Sequence, residues 1–221
     1  MFQIKICGIT NVEDARAVAR GGADAVGLNF YAKSPRAITT DQARAIIRVL
    51  PSDMVKVGLF VDTPPAEIGE TFDRLGLDLI QLHGDQPPEF LTLLGGRPVM
   101  PAFRIGPAGL DPVVAYLHAC KGMSHKPAML LFDSYKVDCY GGTGIGLDIS
   151  ALSDYRQQTG SYKIILAGGL TPFNVANAIQ TTYPDGIDTS SGVESSPGHK
   201  DAAAVAAFVN AAREAFRRIK I

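Results

Sequence analysis

Short apolar runs recur along the whole chain, each followed by turn residues and then by a stretch with helical periodicity. Strands are expected at 3–7, 25–30, 55–61, 79–82, 99–103, 129–132, 163–167 and 186–188. Helices are expected between and after them, at 12–20, 41–50, 66–75, 88–94, 110–119, 149–158, 172–181 and 202–218. Regular alternation of strand and helix signals βα units around a parallel sheet, and about eight units is the number that closes a barrel.

Local punctuation supports this reading. Thr10-Asn11, Thr39-Thr40-Asp41 and Thr171-Pro172 carry the residues that begin helices. Gly21-Gly22 and Gly76 stand where a helix ends on positive φ, with a strand two or three residues later. Extended loops are expected only at 121–127 and 138–146, and neither has the composition of a linker. The chain, 1–221, therefore reads as a single α/β domain, a (β/α)8 TIM barrel.

An open doubly wound sheet is the rival architecture, but its first turn should carry a dinucleotide fingerprint. Cys7-Gly8-Ile9-Thr10-Asn11 stands there instead, and Gly141-Gly142-Thr143-Gly144-Ile145-Gly146 lacks the required spacing. Neither a phosphate-binding loop of the nucleotide hydrolases nor a G-x-S-x-G elbow is present.

Composition narrows the partner. With 46% hydrophobic and 19% charged residues the chain is too apolar for disorder. Lys and Arg number 21 against 22 Asp and Glu, which offers no electrostatic footprint for nucleic acid or an anionic membrane and points to a small-molecule partner. Met1-Phe2-Gln3-Ile4-Lys5 enters a strand-like run directly, without the basic start and apolar stretch of a secretory signal, so a cytoplasmic location is expected. No run of about 18 apolar residues suggests a membrane span. Cys7, Cys120 and Cys139 are odd in number and widely spaced, against a disulfide framework or a zinc site. His83, His118, His125 and His199 show no metal-ligand spacing, so no metal is expected.

In this architecture reacting groups stand at the carboxyl ends of the strands. Those positions hold Cys7, Asn29, Asp62, His83, Arg104, Asp133, Gly168 and Asp188. If Ile4 and Ile6 face the outer helices, then Lys5 and Cys7 point inward, and the same alternation turns Leu131 and Asp133 inward. A thiol and a carboxyl group at one mouth can act as base and acid if their surroundings shift both towards neutrality. Lys5, one step below Cys7, is expected to favour the thiolate. The bland alternatives are a small buried hydrophobe for Cys7 and a helix cap for Asp133.

The last two strand ends carry a more specific signal. Gly168-Gly169 and Ser190-Ser191-Gly192 each lie between a strand and a helix start, where bare backbone N–H groups suit an anion, and this fold commonly holds a phosphate there. A sugar phosphate follows as the substrate class. Arg36, on the long connection after the second strand, has the planar fork that grips a carboxylate, although an isolated arginine is often only a solvated loop charge.

Taken in order, Lys5-Ile6-Cys7-Gly8-Ile9-Thr10, Gly22-Ala23-Asp24-Ala25-Val26-Gly27, Ser34-Pro35-Arg36, Val57-Gly58-Leu59-Phe60-Val61, Gln81-Leu82-His83-Gly84, Gly141-Gly142-Thr143-Gly144, Ala167-Gly168-Gly169-Leu170 and the stretch 188–201 resemble the phosphoribosylanthranilate isomerases. The resemblance implies an Amadori rearrangement in tryptophan biosynthesis, without a cofactor. It implies Asp133 as the acid that opens the furanose ring and Cys7 as the base that removes the C2 proton. By the same resemblance Arg36 holds the anthranilate carboxylate, Asp188 lies near the anthranilate nitrogen, and His83 joins the substrate-binding set. Gly168, Gly169, Ser190, Ser191 and Gly192 would form the phosphate cradle. A monomer or homodimer acting on a small phosphorylated molecule is expected.

The chain departs from the family pattern after Gly144. A lysine and a Phe-Asp-Trp trio usually follow there, whereas Ile145, Gly146, Leu147, Asp148 and Ile149 stand here. This implies weaker ordering of that loop over the phosphate. The competing readings are another sugar-phosphate barrel, such as indole-3-glycerol phosphate synthase or an epimerase, and a non-catalytic phosphate-binding barrel. The first would need several catalytic lysines with a glutamate, the second metal-binding histidines with paired aspartates, and neither set is evident.

Overall fold

Eight parallel strands close on themselves in chain order: β1 (Ile4–Cys7), β2 (Ala25–Asn29), β3 (Val55–Phe60), β4 (Leu79–Leu82), β5 (Val99–Ile105), β6 (Leu130–Ser134), β7 (Ile164–Leu166) and β8 (Gly186–Thr189). The computed structural model describes residues 2–134, 152 and 155–219. The seam is sealed by β1 against β8, with Lys5 opposite Asp188. The barrel expected from the apolar pattern is therefore the fold observed.

Side-chain alternation sorts the strands into two cores. Ile4, Ile6, Val26, Leu28, Ile80, Phe132, Leu166 and Ile187 face outward into the layer shared with the helices. Ala25, Val57, Leu79, Met100, Leu131 and Ile165 fill the interior. Each strand is buried on both faces, as a parallel sheet requires. Cys7, Leu59 and Val61 form a small third cluster at the mouth.

Around the barrel run α1 (Val12–Arg20), α2 (Thr40–Ile47), α3 (Pro65–Leu75), α4 (Asp111–Ala119), α5 (Tyr155–Thr159), α6 (Val175–Thr182) and α7 (Ala202–Ile219). Asn11 caps α1 by accepting the Asp14 N–H at 2.8 Å, and Thr39 with Gln42 closes a capping box on α2. Gly22 and Gly76 take the expected positive φ.

Three expectations need correction. The connection after β4 is a 3-10 helix, Pro88–Leu94, where an ordinary helix was expected. Thr92 donates to the Glu89 carbonyl three residues back, and Gly95 ends the run after two turns. The helix placed at 172 begins only at Val175, because Asn174 Oδ1 accepts the Thr171 N–H and holds 171–174 as a turn. An antiparallel hairpin, β9 (Glu194–Ser196) and β10 (His199–Lys200), lies between β8 and α7 where no strand was expected. The loop 138–146, Cys139, the start of the helix at 149 and the departure after Gly144 lie outside the described residues. Among the described residues no helix is long and apolar enough to cross a membrane.

Candidate active site

Cys7 ends β1 and points inward, where its partner across the ladder is Gly27 of β2. A Cβ on Gly27 would lie 2.5 Å from the Cys7 Sγ, so the missing side chain gives the thiol its place. Burial pushes the Cys7 thiol above its ordinary range, Lys5 pulls the other way, and Asp188 opposes Lys5. Lys5 thus favours the thiolate as expected, but burial outweighs it and the thiol stays above its ordinary range. The Lys5 ammonium is spent on Asp188, with Nζ 2.8 Å from Oδ2 and no exposed surface of its own.

Asp133 leaves β6 on the same inward face as Leu131 and is buried. His83 follows β4, and its Nε2 lies 3.3 Å from Asp133 Oδ2. Gln81 Nε2 stands 3.0 Å from His83 Nδ1. With the amide donating there, Nε2 is the ring nitrogen left to face the Asp133 carboxyl group. Asp188 ends the inward row of β8, and burial, the largest influence, raises its pKa against the pull of Lys5. Its Oδ1 is buried and accepts no hydrogen bond among the described residues. An acceptor in that condition suits a donor carried by a ligand.

Arg36 arrives on a loop locked from within. Asn29 Oδ1 accepts the Tyr31 N–H, Asn29 Nδ2 donates to Ser34 Oγ, and Ser34 Oγ accepts the Arg36 N–H. The guanidinium then lies over Gly8, whose φ of 74° and lack of a side chain both matter, since a Cβ there would meet the Arg36 Cδ at 2.5 Å. Nε and Nη2 donate to the two oxygens of Glu194 at 2.8 and 2.6 Å. Arg36 is thus an anchored, mostly buried group and not a solvated loop charge.

Gly168 and Gly169, both left-handed, carry the chain out of β7. Asn174 Nδ2 donates to the Gly169 carbonyl and fixes that turn. After β8, Ser190 Oγ donates to the Cys7 carbonyl, which ties this loop to the end of β1. The Gly168-Gly169 and Ser190-Ser191 turns follow the neighbouring strands β7 and β8, lie side by side in the wall of the mouth and offer backbone suited to an anion.

These parts enclose one cavity of about 670 Å³ including its open mouth. Cys7, Arg36, His83, Asp133, Asp188, Gly168, Gly169, Ser190 and Ser191 all line it. Gly192 stands behind the lining, where a Cβ would meet the Leu170 carbonyl oxygen at 1.9 Å. Sequence reasoning missed Glu194 and Lys200, which hold Arg36 from behind, and Gly27 as the space beside the thiol. Only the short strand spacing around Pro197-Gly198 hinted at a hairpin there.

A family model for N-(5'-phosphoribosyl)anthranilate (PRA) isomerase matches residues 4–211. An N-(5'-phosphoribosyl)anthranilate isomerase of Geobacter sulfurreducens is 45% identical over 96% of this chain and 99% of its own length. Among solved structures, a phosphoribosyl anthranilate isomerase from Thermotoga maritima superposes with a TM-score of 0.85 at 34% identity, covering 97% of this chain and 100% of that one. Another, solved in complex with reduced 1-(o-carboxyphenylamino)-1-deoxyribulose 5-phosphate, gives 0.82 at 33% identity with the same coverage.

Proposed function

Since the chain belongs to the N-(5'-phosphoribosyl)anthranilate isomerase family and is an isomerase of that kind, we propose that Cys7 and Asp133 are the base and the acid of its reaction. Asp133 gives a proton to the furanose ring oxygen. The C1–O bond breaks as the anthranilate nitrogen lone pair forms a C1=N bond. Cys7, as the thiolate, removes the C2 proton, and the electrons of that C–H bond form C1=C2 while the iminium pair returns to nitrogen. Protonation at C1, with loss of the C2 hydroxyl proton, then gives the ketone, and the two protons exchanged restore Cys7 and Asp133 to their starting forms. Reactant and product are isomers, so no external oxidant or reductant enters the balance.

Each remaining group has one task. Arg36 grips the anthranilate carboxylate through the edge of its fork that Glu194 leaves free. Asp188 Oδ1 accepts from the anthranilate N–H, and His83 steadies the acid. Gly168, Gly169, Ser190 and Ser191 surround the phosphate, and Gly192 lets their two loops close together. The substrate is a small phosphorylated molecule handled by a monomer or homodimer in the cytoplasm, with no role for nucleic acid.

The observation that carries this reading is a single cavity with Cys7 and Asp133 in its wall and two anion-binding turns on one side. Loss of anthranilate fluorescence measures turnover. Cys7→Ala and Asp133→Asn should each lower kcat by about 10²-fold or more while leaving the affinity for the reduced product intact. A variant with near-normal kcat would remove its residue from the chemistry. A barrel that binds the ligand but never turns it over would favour the non-catalytic reading.

A further inference from the structure

Behind Arg36, away from the cavity wall, three charges are stacked in a row that the proton transfers do not use. Glu194 opens β9 and Lys200 ends β10, and the two face each other as partners across the hairpin. Glu194 Oε1 accepts from Lys200 Nζ at 2.7 Å and from Arg36 Nε at 2.8 Å, and Oε2 accepts from Arg36 Nη2. The Lys200 side chain is fully buried and that of Glu194 is 4% exposed. Lys200 Nζ also reaches the Ser190 carbonyl at 3.2 Å, and its backbone N–H donates to Asp14 on α1, so the hairpin cannot swing.

A buried lysine is costly, and a plain clamp on Arg36 would not need one. Arg36 and Glu194 alone form a bidentate pair with no net charge, which has little left to offer an incoming carboxylate. Adding Lys200 brings the row to a single positive charge. A bound carboxylate then brings it to zero. Neither Glu194 nor Lys200 is among the residues that line the cavity: Glu194 acts through Arg36, and Lys200 through Glu194 and the Ser190 loop.

We propose that Lys200 is a specificity-determining positioning residue: it offsets Glu194, so that Arg36 is held in place by Glu194 and still meets the substrate's aromatic carboxylate as a net cation. The proposal rests on the reading of Arg36 as the carboxylate grip. Burial works against the Lys200 ammonium while Glu194 supports it, in keeping with a charge kept at a cost.

Two ligands separate charge from packing. One is reduced 1-(o-carboxyphenylamino)-1-deoxyribulose 5-phosphate, and the other is the same molecule without the ring carboxylate. Both carry the phosphate, so any disturbance of the Ser190 loop cancels in the ratio of their dissociation constants. Lys200→Met should reduce the preference for the carboxylated ligand by about tenfold, the scale of one unit charge about 10 Å away in partly buried surroundings. The double variant Lys200→Met with Glu194→Gln returns the row to one positive charge and should recover the preference. A structural role would make the double variant no better than the single one. Should Lys200→Met fail to fold, Glu194→Gln decides, because its row carries two positive charges and its preference should exceed that of the unaltered protein. An equal or smaller preference there overturns the proposal. Arg36→Met guards the premise. If it abolishes the preference while Lys200→Met does not change it, the proposal alone falls; if Arg36→Met leaves the preference intact, the carboxylate-grip reading falls and takes the proposal with it.

Discussion

Lys5 and Asp188 form an ion pair inside the barrel, with Nζ 2.8 Å from Oδ2, on facing positions of β1 and β8. The two residues lie 183 positions apart in the chain and meet only when the first strand closes on the last. Burial, the largest single influence, lowers the Lys5 ammonium, but Asp188 and Cys7 together outweigh it and raise the lysine above its ordinary range.

Removing one partner should therefore cost far more than removing both. Lys5→Met leaves a carboxylate buried without its counter-charge and should destabilise the fold by about 3–5 kcal/mol, whereas Lys5→Met with Asp188→Asn should recover most of that loss. Urea unfolding measures both. The pH dependence has a definite sign. A lysine whose folded pKa is raised contributes stability that is full below its unfolded value of 10.5 and lost as pH climbs through the folded value. The unaltered protein should lose stability on that alkaline limb, and the double variant should lack the step. Equal stability of Lys5→Met and the unaltered protein would mean that the pair does not hold the seam.

Gly27→Ala tests the space beside the thiol. An added Cβ would lie 2.5 Å from Cys7 Sγ and 2.9 Å from Cys7 Cα, and the second contact is backbone that cannot rotate away. The strand pair must part, carrying the thiol with it. A displacement of about 1 Å at a reacting group can cost roughly 10²-fold, so kcat should fall towards that of Cys7→Ala while far-ultraviolet circular dichroism stays that of a barrel. Unchanged kcat would show that the position of Cys7 is not critical to turnover.

The barrel was legible because strands buried on both faces still alternate in what they meet. Ile4 and Ile6 against Lys5 and Cys7, or Leu131 and Asp133 on one face, can be sorted by a period of two without any partner being known. The glycine and serine turns after the last two barrel strands were legible for the same local reason. Partnerships across the closure were hidden. Lys5 read alone looks like a charge that activates its neighbour Cys7, and only the structure shows that it is shared with Asp188 across the seam and that burial outweighs its pull on the thiol. Glu194 and Lys200 sit on strands of three and two residues, too short to show any periodicity, and Glu194 grips an arginine 158 positions away. The 3-10 helix after β4 escaped notice because an apolar run of seven residues cannot distinguish three from 3.6 residues per turn.

Cys7 should alkylate slowly near neutral pH. Burial holds its thiol above the ordinary value of 9.0, so the rate of modification by iodoacetamide should rise with a midpoint above that value. With the thiolate as the proposed base, kcat/KM should rise on the alkaline side in step with the alkylation rate. A midpoint at or below 9.0 would restore Lys5 as the activating neighbour and contradict the burial argument.

Among the described glycines, Gly192 leaves the least room for a side chain, and what fills that room is the loop after β7. A Cβ on Gly192 would lie 1.9 Å from the Leu170 carbonyl oxygen and 2.9 Å from its carbon. That same carbonyl accepts the Thr189 hydroxyl at 2.6 Å, so it cannot turn aside without breaking a buried hydrogen bond. Gly192→Ala must push the loop after β8 away from the loop after β7 and widen the space between Gly168-Gly169 and Ser190-Ser191. Those turns are proposed to hold a phosphate remote from the proton transfers, and loosening them removes binding shared by ground and transition states. KM should rise by about tenfold or more with a smaller change in kcat, and inorganic phosphate should weaken as a competitive inhibitor by a similar factor. Cys7 alkylation, which reads the end of β1 tied to this loop through the Ser190 hydroxyl, should keep its pH midpoint because burial within the barrel sets it. If KM and phosphate inhibition are unaltered in a folded Gly192→Ala protein, the two turns do not act together on the phosphate.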